Sequence, residues 1–460
     1  KKYENKITPK LQDYLNFATK QYKEKRILGS QRALQFGGDS ILKHEMKQFN
    51  CLVSYWDRVE FFKEAMYLLL CGCGLGFSVH TLLVEKLPMI GKRIEGVKTF
   101  LIEDSIEGWA DAIGVLLASY SLSDIKFQDY YGYRIDFDYS NIRPKGSYIS
   151  GGFKAPGYEG LKNSLTKIQE LLDKEINGNV QIPLKSIIAY DIVMHMADAV
   201  LSGGVRRSAT ICLFSATDND MLNAKTGDWY IKNPQRGRSN NSVILIRNKT
   251  SKELFSKIME SVKSWGEPGF VWSSNEDIIY NPCVEIGMTP YYIDENENKI
   301  SGWEGCNLTE INGSKCNSEQ EFYDACKASA ILGTLQAGYT NFKYVTDVTK
   351  KIFDKEALLG CSITGFMNNP VILFNPEIQK KGAEIIKETN KIISLLIGIN
   401  QAARTTCVKP SGNASVILGT ASGIHGEHSK KYFRNVQVNK EEELGKVIKI
   451  LNPKMVENSL

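Results

Sequence analysis

The sequence predicts an α/β fold organised on a central sheet or barrel. Strand-like and helix-like segments alternate over several hundred residues from about position 49, the pattern expected when helices cover a central sheet. No self-similarity at a period of roughly 20–50 residues is visible, so a solenoid is not expected. The length, 460 residues, suits two or three domains or one large barrel-type domain.

Residues 1–48 are expected to form a polar, helical N-terminal segment that passes into the glycine turn of "RALQFGGDS". "FNCLVSYW" (49–56) has the aromatic and β-branched content of a buried strand, with Cys51 inside it. "EFFKEAMYLLL" reads as a helix, ended by a glycine-rich turn at Gly72, Gly74 and Gly76. Residues 81–140 are less patterned and carry many charges and tyrosines, as an insertion would. A basic, glycine-containing loop follows, "DYSNIRPKGSYISGGFKAPG" (138–157). Residues 160–200 are amphipathic and helical, after which "SGGVRRSATICLF" (202–214) turns into a strand. "KNPQRGRSNNSVILI" (232–246) is a second basic loop entering a strand. "TSKELFSKIMESV" opens with a capping-box pattern, Thr250 to Glu253. It places Leu254, Phe255, Ile258, Met259 and Val262 on one helical face. "GFVWSS", "NPCVEIGM", "LGCSITGFM" and "NASVILGT" are strand-like.

Hydrophobic residues make up 42% and charged residues 24%, an ordinary globular composition. The 57 basic and 52 acidic residues nearly cancel. That argues against a broad basic surface for nucleic acid and leaves room for a local phosphate site. The first residues, "KKYENKITPK", lack a signal peptide's apolar core. No segment reaches the ~18 apolar residues of a membrane span. A soluble, cytoplasmic chain is expected. Ten cysteines without paired C-x-x-C knuckles fit neither a secreted disulfide scaffold nor a zinc module. Most of them are expected to be buried, inert, small hydrophobes.

One cysteine has unusual neighbours. In an extended "NPCVEI" (281–286), Asn281, Cys283 and Glu285 would share one face, with Pro282, Val284 and Ile286 on the other. Nucleophilic catalysis would need a histidine base, and none of the five histidines lies near Cys283 in sequence; spatial neighbours stay open. Zinc would need more clustered ligands. Radical or redox thiol chemistry is the third option, and it asks for several cysteines converging from distant segments.

The segments "FNCLV" (49–53), "SGGVRRSA" (202–209), "NPCVEI" (281–286), "EGCNLTEIN" (304–312), "LGCSITG" (359–365), "VKPSGNASV" (408–416) and "SGIHGEHS" (422–429) occur together and in order. This set resembles the catalytic chain of ribonucleotide reductase, over residues from about 30 to 435. Three details are closer to the adenosylcobalamin-dependent, monomeric triphosphate reductases than to other classes. These are Cys306 directly opening "CNL", the apparent insertion after "GLGFSV", and "FDYSNIRPKGSYISGG". A minimal class I chain, served by a ferritin-like dimetal subunit that generates the radical, is the alternative.

The resemblance implies a ten-stranded α/β barrel of two half-sheets over 49–460, with a central finger loop that carries the radical cysteine. It implies thiyl-radical reduction of ribonucleoside di- or triphosphates to 2′-deoxyribonucleotides. Cys283 would be the radical carrier and Glu285 the base for the 3′-hydroxyl. Asn281 would hold the sugar, and Cys51 and Cys306 would be the pair that closes into a disulfide. Asn50 and Gly204 would contact substrate, and Ser411, Gly412, Asn413, Ala414 and Ser415 would bind its phosphates. A deoxynucleotide effector would be read by two loops, through Asp138, Arg143 and Lys145, and through Lys232, Gln235, Arg236 and Arg238. Adenosylcobalamin is the implied cofactor, no metal ligands are implied, and thioredoxin or glutaredoxin is the implied reductant. Because relatives of this family continue past "SGIHGEHS", the end of the barrel and a cysteine tail are expected to be absent from these residues. No ATP-cone-like domain is expected.

Overall fold

In the computed structural model, the described residues are all but 122–124, 149–153, 202–208, 428, 430, 434, 436–437, 439–442 and 458–460. Eleven strands position the site: β1 (Ile27–Leu28), β2 (Cys51–Tyr55), β3 (Gly74–Ser78), β4 (Thr210–Ser215), β5 (Ser239–Ile246), β6 (Gly269–Ser273), β7 (Ile279–Tyr280), β8 (Gly287–Met288), β9 (Trp303–Gly305), β10 (Leu308–Asn312) and β11 (Gly360–Thr364). Six of them form one sheet in the order β6-β5-β4-β3-β2-β9, parallel throughout except for β9 against β2. A second sheet has the order β1-β10-β11. The chain crosses between the sheets at Cys306–Asn307, the link from β9 to β10. The buried Asn307 amide pins this link by donating to Gly333 O (2.8 Å) and Leu358 O (3.0 Å).

Strand alternation explains which face meets what. Leu52, Phe77, Cys212, Phe214, Val243 and Leu245 point to one side of the larger sheet. They pack there with helices Glu60–Leu70, Ile106–Ala118, Glu159–Ile176 and Ser186–Leu201. Val53, Tyr55, Ile211, Leu213 and Ile244 point to the other side, where they meet Ile279 and Met288. The second sheet buries Ile27, Ile311 and Cys361 against helices Pro9–Lys23, Glu319–Ala337 and Pro376–Ile397. Both faces of the larger sheet are therefore buried, as its continuous apolar strands require. The inner face is covered by the antiparallel β7–β8 hairpin.

The α/β class holds. The ten-stranded barrel is not closed: among the described residues the two largest sheets have six and three strands, joined at one corner, and the remaining strands form two-stranded pairs. Three local expectations are corrected. Residues 81–140, expected to be less patterned, contain the helix Ile106–Ala118, buried on nearly every side; that removes the amphipathic signal. "NASVIL" (413–418) is a short helix rather than a strand, closed by Gly419 at φ 68°. The helix after position 250 is capped by Ser251, whose hydroxyl accepts from Leu254 N–H, one residue later than the Thr250 pattern. No helix among the described residues is long and apolar enough to cross a membrane.

Candidate active site

Cys283 sits at the tip of the β7–β8 hairpin. Residues 281–286 are a turn, which corrects the extended backbone expected for "NPCVEI". Val284 N–H donates to Asn281 O (2.8 Å) and Ile286 N–H to the Asn281 side-chain oxygen (3.1 Å). Pro282 at the second position suits such a turn. Val284 takes φ 65°, a left-handed conformation that costs a β-branched residue roughly 1–3 kcal/mol and is held only by its surroundings. This turn, not strand alternation, gathers the three polar side chains. Asn281 is fully buried and donates to Glu285 Oε2 at 2.7 Å, while Cys283 is exposed.

The hairpin can lie on β3 because glycine occupies its inward positions. A Cβ at Gly76 would stand 2.1 Å from the Tyr280 carbonyl oxygen, and one at Gly74 would stand 3.2 Å from Pro282 Cγ. Leu75 and Phe77 point the other way, into the helix-covered core.

Cys51 and Cys306 meet at the corner between the sheets. The antiparallel register Trp303↔Ser54 to Gly305↔Leu52, continued one step, sets Cys306 opposite Cys51. Cys306 N–H donates to Cys51 O at 2.9 Å, and Cys51 N–H points at Cys306 Sγ, 3.2 Å away. Directly opposed residues have Cα atoms about 4.5–5.5 Å apart, within the span a disulfide bridges. Both thiols are buried with Leu308, against Ile286 and Cys407.

Cys51 lies against Cys306 and within electrostatic reach of Cys283, so the three thiols form one group. The interaction with Cys51, then burial, pushes the Cys283 thiol far up. For Cys51 the interaction with Cys283 pulls down, but that with Cys306 and burial outweigh it and hold the thiol well above its ordinary value. Both therefore keep S–H bonds at neutral pH. For Cys283 that suits hydrogen-atom transfer and not thiolate nucleophilicity. The histidine contacts lie elsewhere: His44 with Glu107, His80 with Glu276, and His425 with Ser422 O.

The other expected residues are placed as follows. Asn50 is exposed beside the cluster, its amide 3.7 Å from Cys51 Sγ. Gly204 lies outside the described residues. Ser411 is buried and donates to Glu310 Oε2, and Ser415 donates to Gly412 O (2.7 Å). Gly412 precedes the helix Asn413–Leu418, which includes Ala414. In the first loop, Asp138 accepts from Ser140 N–H (2.8 Å), which lowers its pKa; Arg143 pairs with Asp104 (2.6 Å), and Lys145 is exposed. In the second, the Arg236 guanidinium grips buried Asp191 at 2.8 and 2.7 Å, and Gln235 donates to the same carboxylate at 3.2 Å. Lys232 is exposed, and Arg238 pairs with Asp198 (2.6 Å). Arg236 is thus engaged inside the fold, while Lys145, Lys232 and Arg238 face solvent.

Three residues of the site were not anticipated: Cys407, Lys409 and Glu310. Lys409 Nζ is 2.5 Å from Glu310 Oε1. The lysine next to the "PSG" segment was the only signal in the sequence.

No protein-family model matches the chain. It is 29% identical over 365 residues to the probable adenosylcobalamin-dependent ribonucleoside-triphosphate reductase of Dictyostelium discoideum, covering 75% of this chain and 44% of that protein. It is 26% identical over 361 residues to the adenosylcobalamin-dependent ribonucleoside-triphosphate reductase of Euglena gracilis, covering 74% and 45%. With the Lactobacillus leichmannii enzyme of the same name it shares 25% over 379 residues, covering 74% and 49%. The chain thus spans about half the length of these relatives. In fold it matches the crystal structure of a B12-dependent, class II ribonucleotide reductase, with a TM-score of 0.72 at 20% identity, over 87% of this chain and 65% of that one. The chain is thus similar in sequence to adenosylcobalamin-dependent ribonucleoside-triphosphate reductases and in fold to a class II ribonucleotide reductase.

Proposed function

We propose that this chain carries the catalytic centre of a ribonucleotide reductase that acts on ribonucleoside triphosphates with adenosylcobalamin. The observation that carries the reading is the contiguity of three thiols from three distant segments, one exposed and two buried. Exposure of Cys283 alone fits the cofactor, which has to reach the first sulfur and not the pair. Pro282, Cys283 and Val284 at the hairpin tip would face it. When bound, adenosylcobalamin supplies the radical that turns the Cys283 thiol into a thiyl.

The chain's own residues perform the rest. Cys283 takes the hydrogen atom from C3′ of the ribose and returns it at the end. Glu285, steadied by Asn281, accepts the 3′-hydroxyl proton, which requires only hydrogen-bond reach of that oxygen. The 2′-hydroxyl leaves as water. Cys51 and Cys306 together give up two electrons and two protons and close their S–S bond, so one ribonucleotide and two thiols yield one deoxynucleotide, one water and one disulfide. Leu308 and Ile286 pack around the pair and keep solvent away from it. The 411–415 segment would take the phosphates at a helix start. A dithiol protein of the thioredoxin or glutaredoxin type would reopen the disulfide, and a deoxynucleotide would bind at the exposed basic residues of the two loops.

An assay of the purified protein with ribonucleoside triphosphate and a small dithiol tests this. Deoxynucleotide should form when adenosylcobalamin is added and not without it. Turnover that depends instead on an added dimetal subunit would contradict the cofactor, and no turnover under either condition would contradict the function.

A further inference from the structure

A buried ion pair stands beside the three thiols, and strand register explains how it comes there. β10 turns Leu308 inward to the sulfur cluster and Ile311 outward to the helices, so Glu310 faces inward with Leu308. Gly360 and Ser362 of β11 stand opposite Leu308 and Glu310. Beyond β11 runs an extended segment, 404–409, held by Leu359 N–H to Arg404 O (2.9 Å), Cys361 N–H to Thr405 O (3.0 Å) and Lys409 N–H to Ser362 Oγ (3.0 Å). Alternation along it brings Cys407, Lys409 and Ser411 to one side. A Cβ at Gly360 would meet Leu308 Cδ2 at 2.7 Å and Cys407 Sγ at 3.0 Å. The missing side chain is what lets this edge close onto the cluster.

Glu310 is 2% exposed and receives both Lys409 Nζ (2.5 Å) and the Ser411 hydroxyl. Lys409 is within electrostatic reach of Cys283, Cys306 and Cys407, and Glu285 is within reach of Cys51, Cys283 and Cys407. Two carboxylates and one ammonium thus surround the sulfurs. A buried pair of this kind is weak evidence for stability as such, because desolvation offsets its attraction.

We propose that Lys409 is a positioning residue for the redox step: its ammonium, anchored by Glu310, stabilises the negative charge that develops on the sulfur pair as Cys51 and Cys306 are oxidised. The inference rests on the reading of these two residues as the redox pair. In disulfide exchange one of them ionises, attacks the oxidant's S–S bond and forms a mixed disulfide. The first attack releases one thiol of the oxidant, the second cysteine displaces the other, and the two protons pass to these two thiols. Both attacks run through an anionic sulfur, which a nearby cation favours.

The test uses the reduced protein and an excess of 2-hydroxyethyl disulfide, an acyclic and more oxidising disulfide, with neither nucleotide nor cofactor, and follows the Cys51–Cys306 disulfide by peptide mass mapping. Lys409→Gln should slow its formation by about fivefold or more, and Glu310→Gln should accelerate it, because the ammonium is then unopposed. Lys409→Arg should stay near the parent rate. A general loosening of the fold would move both neutral variants in the same direction; that result, or no change in either, overturns the proposal. Should Lys409→Gln fail to fold with Glu310 left unpaired, Glu310→Gln decides alone: acceleration supports the proposal and an unchanged rate overturns it. A parent protein that forms no Cys51–Cys306 disulfide overturns the pair itself, a different result from an unaltered rate.

Discussion

Cys283→Ala and Cys283→Ser are expected to abolish deoxynucleotide formation, by at least about a thousandfold, some 4 kcal/mol or more of barrier. The fold should remain. Cys283 is exposed at the end of a two-stranded hairpin and fills no part of the core. Serine keeps the size and a hydrogen-bonding group, so it separates chemistry from packing: an O–H bond is too strong to serve as a reversible hydrogen-atom carrier. Product formation read alongside the urea midpoint checks the point. Turnover above a tenth of the parent rate in either variant would remove Cys283 from the reaction.

The second large effect is expected at a residue with no functional group. Gly76→Ala would drive a Cβ to 2.1 Å from the Tyr280 carbonyl oxygen and 3.1 Å from Val53 Cγ1. β3 is bonded on both sides, to β2 and β4, and cannot retreat. The hairpin therefore has to lift, at about 1–3 kcal/mol for overpacking. A shift of ~1 Å between reacting groups costs roughly a hundredfold in rate, so activity should fall further than stability. For Gly74→Ala the nearest atoms are Pro282 Cγ, at 3.2 Å, and Ala209, at 3.4 and 3.5 Å; it should be milder. The urea midpoint and turnover of both variants check this, and parent-like activity in Gly76→Ala would mean that the hairpin does not rest on β3.

The fold class was legible because β2, β4 and β5 are short apolar runs separated by helices, and tertiary packing agrees with that local pattern; β3 was read as a turn, because Gly74 and Gly76 are the positions on which the hairpin rests. The hairpin tip was not. Apolar–polar alternation in "NPCVEI" mimics a strand, whereas the decisive features are the Asn281 side chain closing the turn and Val284 in a left-handed conformation. Neither leaves a mark in hydropathy. Helix Ile106–Ala118 was hidden for the opposite reason, being buried all round. "NASVIL" carries β-branched residues but is too short for periodicity to tell helix from strand.

The site was legible only as a set of ordered motifs. Cys51 and Cys306 are far apart in sequence, and sheet register alone sets them opposite each other. Glu310 and Lys409 escaped notice because their meeting depends on a glycine at position 360 and on an edge segment whose register no local pattern fixes. Arg236 was read as a cation for a ligand. Nothing in "NPQRGR" reveals the buried Asp191 that takes it.

A single-turnover reaction bears most directly on the claim that these three sulfurs act as one centre. Reduced protein is supplied with adenosylcobalamin and ribonucleoside triphosphate but no external reductant, then quenched, alkylated and mapped. The structure predicts about one deoxynucleotide per chain, matched by one disulfide joining Cys51 to Cys306, with Cys283 and the remaining cysteines free. Deoxynucleotide formed while Cys51 and Cys306 both stay reduced, or a disulfide joining a different pair, would contradict it.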